Sequence, residues 1–381
     1  MKLAAFLGLL LFPATAYPQV AAVTPSRTIA VGDTVEVVAG AQYAAGAAHR
    51  FLFGSGWRRL WTARVRVPVL DLRRTGGGLR PLARGGGFQT SSLELASADG
   101  REFRFRSVDK NPSQALPSRY RWPGVVGAVR DQTSALHPAG TLVAASLAGA
   151  AGVPHLLPHL VVMPDDPALG PFRAEFARML GVLEERPAPG ADGTADGFGF
   201  LKVMDTDSLL ATLGTRESGR IDAREYVAAR LLDLYLNDWD RHAGNWLWGT
   251  RDPEPPRTWL AIPKDRDQAF ASYDGVMLAV ARLFAPKLVP FTDDYRLPGL
   301  TVNAKALDAR IARGLPRAVW DSIASAMAGR LSDGAIERAL RQMPEPYYRL
   351  SRDELTARLR ARRARLPAAA HAWATMLAGA D

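Results

Sequence analysis

The strongest constraint on this chain is a change of texture near its middle. Residues 186–199 are rich in Pro, Gly, Asp and Ala and read as a turn or linker. The text before it is strand-patterned and the text after it is mainly helical. Val65 to Leu72 (VRVPVLDL) alternates β-branched and polar residues, as a half-buried strand does. Ser92 to Leu95 and Glu102 to Val108 read as two strands joined by Ala98-Asp99-Gly100-Arg101, since Asp-Gly between β-rich runs is a hairpin signal. The two-residue period then puts Phe103 and Phe105 on one side and Arg104 and Arg106 on the other. Val125 to Leu136 reads as a helix stopped by His137-Pro138. Residues 139–163 read as a buried helix followed by an apolar strand. Asp222 to Leu236 has an acidic start and apolar residues at Tyr226, Val227, Ala229, Leu231, Leu234 and Tyr235, a helix that delivers the next segment to a fixed place.

The first residues bear on compartment. Met1-Lys2 is a short positive start, Leu3 to Phe12 is an apolar core, Pro13 breaks it, and Ala14-Thr15-Ala16 supplies small residues for cleavage. This is signal-peptide architecture, and its core is too short for a bilayer, which needs about 20 residues. The expectation is an exported, periplasmic protein, with association to the outer membrane as a further option. Cysteine is absent, which excludes disulfides, thiolate zinc sites and a cysteine nucleophile. The net charge is +10, but only six of the 48 basic residues are lysine, so arginine-rich coding accounts for much of the excess. With 381 residues, roughly two units of about 100–200 residues are expected. The reading divides the chain into a signal peptide (1–16), an N-terminal extension (17–60), a small β-rich lobe (61–187), a helical lobe (188–290) and a C-terminal helical extension (291–381).

The densest polar clusters follow the 222–236 helix. Asn237-Asp238-Trp239-Asp240-Arg241-His242-Ala243-Gly244-Asn245-Trp246 comes first, and Pro263-Lys264-Asp265-Arg266-Asp267-Gln268-Ala269-Phe270 lies some twenty residues on. Asp240 and Asn245 have the D-x-x-x-x-N spacing of a kinase catalytic loop. In such a loop the aspartate accepts the proton of the incoming hydroxyl and the asparagine holds a magnesium ion. A later aspartate holds metal as well. Either Asp267 or Asp265 fits that place. Asp240 and Arg241 are thus the catalytic candidates, and Asn245, Asp265 and Asp267 the metal candidates. Two carboxylates and an amide suit Mg²⁺, which prefers a few oxygen ligands plus phosphates. The other reading makes Asp240, Arg241 and Asn245 a buried polar network and Asp265, Arg266 and Asp267 a surface salt-bridged turn.

The upstream lobe offers the remaining parts. The turn Gly85-Gly86-Gly87-Phe88-Gln89-Thr90, with Gly86 and Gly87 at its centre, would cover phosphates with backbone N–H groups. The following strand pair ends in Arg106 and Lys110, either of which would reach a phosphate. Asp131 or Gln132 would hold that cation. Leu183 to Pro187 falls where a hinge between lobes would lie, and Glu184 there is counted among the cofactor-side residues.

Read together, Trp61 to Leu72 (WTARVRVPVLDL), Gly76 to Ser92, Phe105 to Lys110 (FRSVDK), Asp131 to Pro138 (DQTSALHP), Leu183 to Pro187 (LEERP), Asp238 to Trp248 (DWDRHAGNWLW) and Pro263 to Phe270 (PKDRDQAF) resemble an exported bacterial module. That module occurs in BamA/TamA-like outer-membrane protein chains, between a metallophosphatase domain and a C-terminal β-barrel. The likeness runs from about residue 40 to residue 375. More distantly, the D-R-H-x-x-N loop followed by D-x-D resembles the atypical kinases of the CotH, HipA and secretory-pathway families. The resemblance implies a two-lobed, α+β, protein-kinase-like fold with a C-terminal helical extension. It implies Asp240 as catalytic aspartate, Asn245 and Asp265 or Asp267 as metal ligands, and Mg²⁺ with ATP or another nucleotide as cofactors. Those kinases use lysine as the small-lobe cation, where this sequence offers Arg106 and Lys110.

The expected function is therefore an exported atypical kinase, or a related nucleotidyl transferase, acting on an acceptor in the cell envelope. The alternative is a non-catalytic, pseudokinase-like adaptor of the outer membrane or of envelope assembly. Seven arginines lie from Arg349 to Arg365, with Leu355 and Leu359 at helical spacing. They read either as a basic amphipathic helix for anionic lipid or an outer-membrane protein, or as a solvated helix face. Nucleic acid is not expected as a partner, since an exported chain rarely meets it.

Overall fold

The computed structural model describes residues 29–85, 90–116, 118–189, 194–213, 215 and 219–379. The proposed signal peptide lies outside them. Two sheets and a set of helices give an α+β molecule with a strand-rich lobe and a helical lobe.

The strand-rich lobe holds β1 (Val31–Val38), β2 (Arg64–Leu70), β3 (Leu79–Gly85), β4 (Ser92–Ser97), β5 (Glu102–Ser107), β6 (Pro158–Val162) and β7 (Leu180–Arg186), in the order β1-β2-β6-β7-β5-β4-β3. All neighbours are antiparallel except β2 and β6. Residues 29–60, read from sequence as an extension, are built into this lobe: β1 pairs with β2, and Tyr43, Trp57 and Leu60 are buried. The alternation in β5 holds. Phe103 and Phe105 are sealed with Leu93, Leu95, Leu183 and Phe176 in an outer core, which leaves Arg104 and Arg106 on the opposite face. Leu183 to Arg186, expected as a hinge, belongs to β7. The irregular stretch begins only after Arg186.

The helical lobe contains a second sheet of β8 (Lys202–Met204), β9 (Arg220–Ile221), β10 (Trp246–Thr250) and β11 (Thr258–Pro263), in the order β8-β10-β11-β9. The Ala223–Tyr235 helix is its axis. Asp222 caps its start, accepting from the N–H groups of Arg224 (3.0 Å) and Glu225 (3.1 Å). Asn237 stops it in the left-handed region at φ 60°, with its amide donating to the Ala271 carbonyl at 2.9 Å.

A single apolar cluster runs through both lobes, from Val65 and Val67 on β2 and Val162 on β6, past the Gly140–Ala151 helix, to Trp320 and Trp373. The long C-terminal helix, Glu345–Ala378, buries Leu355, Leu359, Leu366 and Trp373 in that cluster. Leu355 and Leu359 are therefore not available to a bilayer, and any lipid contact falls to the outward arginines. Arg362 is fully buried. Its guanidinium donates to the carbonyls of Leu234 (2.5 Å), Tyr235 (2.9 Å), Thr292 (2.7 Å) and Asp294 (2.7 Å), so it satisfies the end of the Ala223–Tyr235 helix. Among the described residues no helix is long and apolar enough to cross a membrane.

Candidate functional site

The two acidic turns meet because β10 and β11 form an antiparallel pair. Trp246 faces Pro263 in that register, so Asn245, just before β10, lies beside Lys264, just after β11. The Lys264 N–H donates to the Asn245 carbonyl at 3.1 Å. Arg241 locks the junction. Its Nη1 donates to the carbonyls of Asn245 (2.9 Å) and Lys264 (2.5 Å), and its Nε and Nη2 donate to the Asp233 carboxylate at 2.8 and 3.1 Å. Asp233, in the middle of the Ala223–Tyr235 helix, also accepts from Arg230 (3.1 Å) and Arg266 (3.1 Å). Burial works to raise its carboxyl, but Arg241, Arg266 and Arg230 together hold it below the ordinary range. Arg230 reaches on to Asp308 at 3.0 Å. Arg241 was expected as a catalytic residue. It is fully buried and wholly engaged in this network, so it is a positioning residue.

Within the held loop, the Asn245 amide nitrogen donates to the Asp240 main-chain carbonyl at 2.6 Å. That leaves the amide oxygen as the acceptor available to a ligand. The Asp240 carboxylate accepts from Asn303 at 2.8 Å and is not in the Arg241 network. Burial pushes its carboxyl above the ordinary value, with His242 opposing and Asp265 adding to the effect. Asn303 was not singled out from sequence. It lies outside both motifs, and only tertiary packing brings it to the loop.

Two ion pairs join the lobes at this point. Arg106, at the end of β5, pairs with Asp265, and Lys110, just beyond, pairs with Asp267. The two candidate cations thus take one candidate aspartate each. Asp265 sits at φ 60°, a left-handed conformation that aspartate tolerates better than most residues. The two carboxyl groups act on one another as well as on the cations. Burial would raise Asp265, but Arg106, then Asp267 and Lys110, hold it well below the usual carboxylate range. Burial and then the neighbouring Asp265 push Asp267 well above it, in spite of Lys110.

The remaining sequence candidates fall as follows. Glu184 lies on β7, 3.6 Å from Arg106, with Val182, Lys110, Asp265 and Asp267 around the same cavity. Burial lifts its carboxyl, and Arg106 opposes the lift. Asp131 does not hold the small-lobe cation. It pairs with Arg58 at 2.6 Å and His49 at 3.0 Å, on the side of the N-terminal segment, and Asp267 takes Lys110 in its place. Gln132 donates instead to the Phe53 carbonyl at 3.3 Å. Gly86 and Gly87 lie outside the described residues. Among those described, no group of three or more histidine, cysteine or carboxylate side chains converges on a metal position. A metal here would have two carboxylates and an amide oxygen, a hard donor set that fits Mg²⁺ with phosphate or water completing the shell.

No family model matches the chain and no curated relative matches it. Among solved structures the chain is similar to the Helicobacter pylori proinflammatory kinase CtkA, at 12% identity over 78% of this chain and 96% of that one, with a TM-score of 0.39. It is also similar to a chain of the Shewanella oneidensis HipA–HipB–operator DNA toxin–antitoxin complex, at 14% identity over 81% of this chain and 78% of that one, with a TM-score of 0.37. At such TM-scores neither likeness adds to what the side chains themselves support.

Proposed function

We propose that this chain is an exported, atypical kinase-like phosphotransferase that uses Mg²⁺ and acts on a hydroxyl of an acceptor in the cell envelope. The observation that carries the reading is the hairpin that sets the Asp240–Asn245 loop beside the Asp265–Asp267 turn, where two cations of the strand-rich lobe reach the two turn aspartates. Asp240 lies in the loop with its carboxylate outside the structural network, so it is the group suited to accept a hydroxyl proton. The Asn245 amide oxygen and the Asp267 carboxylate, with Asp265 beside it, are the atoms suited to hold Mg²⁺. When bound, the ion supplies neutralisation of phosphate charge. Lys110 and Arg106 are placed to exchange their carboxylate partners for phosphate oxygens. Asp233 and Arg241 keep the loop and the β11 turn in register and touch no reactant.

A second reading has its own observation. Arg106 is paired with Asp265 and Lys110 with Asp267, so each cation already has a carboxyl partner without any ligand. That favours a non-catalytic adaptor with a kinase-like shell. The two readings separate on thermal denaturation with MgCl₂ together with ATP or inorganic tripolyphosphate. A working site raises the melting temperature only when both metal and phosphate are present, and Asp267→Ala abolishes the rise. An unchanged melting temperature under every condition supports the adaptor.

A further inference from the structure

The long C-terminal helix offers a bilayer only arginines, but an exposed apolar surface stands elsewhere on the molecule. The two most exposed of the large apolar side chains described are Phe284, at 86%, and Leu283, at 78%. They follow the Val276–Ala281 helix, which continues for a further turn: the N–H groups of Leu283 and Phe284 donate to the carbonyls of Val280 and Ala281 at 3.1 and 3.0 Å. Val276, Met277, Val280, Leu283 and Phe284 therefore share one outward face at helical spacing, while Leu278 turns to the core. The Ala47–Phe53 helix packs beside this segment. Gly54 and Gly275, at φ 98° and 103°, meet backbone to backbone there, where a side chain on either would collide. Asp274 clamps the contact by accepting from the N–H groups of Ser55 and Gly56 at 3.2 and 2.8 Å. Phe51 and Leu52, both exposed, thus extend the same patch. A contiguous apolar patch of this kind marks a surface that meets an apolar partner or a membrane.

Charge selects the occupant. In residues 47–56 and 274–290 the cations are Arg50, Arg282 and Lys287, against one carboxylate, Asp274, already bonded to two N–H groups. His49 faces Asp131. The carboxylates that border the stretch are taken by other arginines: Asp293 and Asp294 by Arg365, and Glu354 by Arg59 and Arg358. A second copy turned onto this patch would set the cations against their own counterparts, because a two-fold contact is self-complementary. A layer of anionic headgroups supplies the missing negative charge, and apolar side chains interspersed with Arg and Lys are what an interfacial helix presents to it. Lys287, at the end of the stretch, holds its ammonium 4.8 Å from the centre of the Trp239 ring, and Trp239 precedes Asp240.

We propose that this face, with Phe51, Leu52, Met277, Val280, Leu283 and Phe284 entering the lipid, seats the protein on an anionic phospholipid bilayer. Neither the metal site nor the transfer step is needed for it. Docking this way would set the Asp240 loop near the headgroups.

The chain has no cysteine, so Phe284→Cys in the full chain provides a single position for an environment-sensitive fluorophore. On vesicles of phosphatidylcholine mixed with phosphatidylglycerol, its emission is expected to move to the blue and to be quenched by lipid carrying a spin label in the acyl chain. The same fluorophore at Arg349→Cys, on the exposed side of the long helix, is expected to do neither. Because each label reports its own position, adhesion through the apolar run Leu3 to Phe12 would not produce this contrast. Arg50→Gln added to Phe284→Cys is expected to weaken binding about fivefold, and vesicles of phosphatidylcholine alone to bind at least about tenfold more weakly. No change at Phe284→Cys on anionic vesicles, or the same change at both positions, overturns the docking face. Equal affinity for the two kinds of vesicle overturns the choice of anionic lipid. A label at Phe284→Cys that is already shielded in solution puts protein on this face, a second copy if the shielding grows with concentration, and overturns the proposal.

Discussion

The amide nitrogen of Asn245 is bonded to the main-chain carbonyl of Asp240 at 2.6 Å, so the residue proposed to hold metal also closes the loop that carries the proposed base. Asn245→Ala removes both contributions at once. The loss of one hydrogen bond costs about 1 kcal/mol of stability. The larger effect is on ligand: the variant is expected to show no Mg²⁺-dependent rise in melting temperature with tripolyphosphate, at a ligand-free melting temperature only slightly reduced.

Asp240→Asn keeps an oxygen for Asn303 and removes the base. Phosphoryl transfer to any identified acceptor is expected to fall by about 10²- to 10⁴-fold. Burial already disfavours the Asp240 carboxylate, so the neutral amide is expected to leave the unfolding midpoint equal or higher. A variant that unfolds early, with transfer lost only in proportion, would place Asp240 in the scaffold.

Arg241 behaves differently. Its removal leaves the Asp233 and Asp238 carboxylates buried with one cation fewer. Breaking a buried ion pair in this way costs about 3–5 kcal/mol. Arg241→Ala is therefore expected to unfold at markedly lower urea than Asp240→Asn, and that contrast separates the positioning residue from the reacting one.

Arg362 gives the equivalent test for the C-terminal helix. Four carbonyls lose their donor in Arg362→Met, and a buried group left unpaired costs about 1–3 kcal/mol. The expected outcome is a loss of at least about 3 kcal/mol in chemical denaturation. Substituting the exposed Arg349 instead is expected to change stability by less than about 0.5 kcal/mol.

Glu225 sets a pH dependence away from the site. Burial, with Asp222 adding to it, pushes its carboxyl up to about 7. The folded chain therefore keeps a proton that the unfolded chain releases near the ordinary value of 4.5. The stabilisation is full below that value and is lost as pH rises through about 7. Denaturation midpoints are expected to fall between pH 5 and pH 8, and Glu225→Gln to flatten that part of the decline.

Much of the strand-rich lobe was legible because its signals are local. The Asp99-Gly100 turn, the alternation of Phe103 and Phe105 with Arg104 and Arg106, and the acidic start at Asp222 each act within a few residues. β10 and β11 were not read as strands, although the Trp246-Leu247-Trp248 run and the Thr258–Pro263 run carry β-type composition. Missing them hid the reason the two turns meet, which is the hairpin between them. Asp233 left a faint trace, a single carboxylate within Leu231-Leu232-Asp233-Leu234. Asn303 left none, since nothing in its own neighbourhood marks it.

By itself, the order of residues determined which groups are chemically available: the Asp240 to Asn245 spacing, the Asp265 and Asp267 pair, and cations at the end of the β5 strand. Only the folded arrangement decided how they are shared. It gave Arg106 to Asp265 and Lys110 to Asp267, sent Asp131 to Arg58, and sank Arg241 into the scaffold. The reason is that ion pairing depends on distance and burial, and both are set by long-range packing between segments more than a hundred residues apart in the case of Lys110 and Asp267.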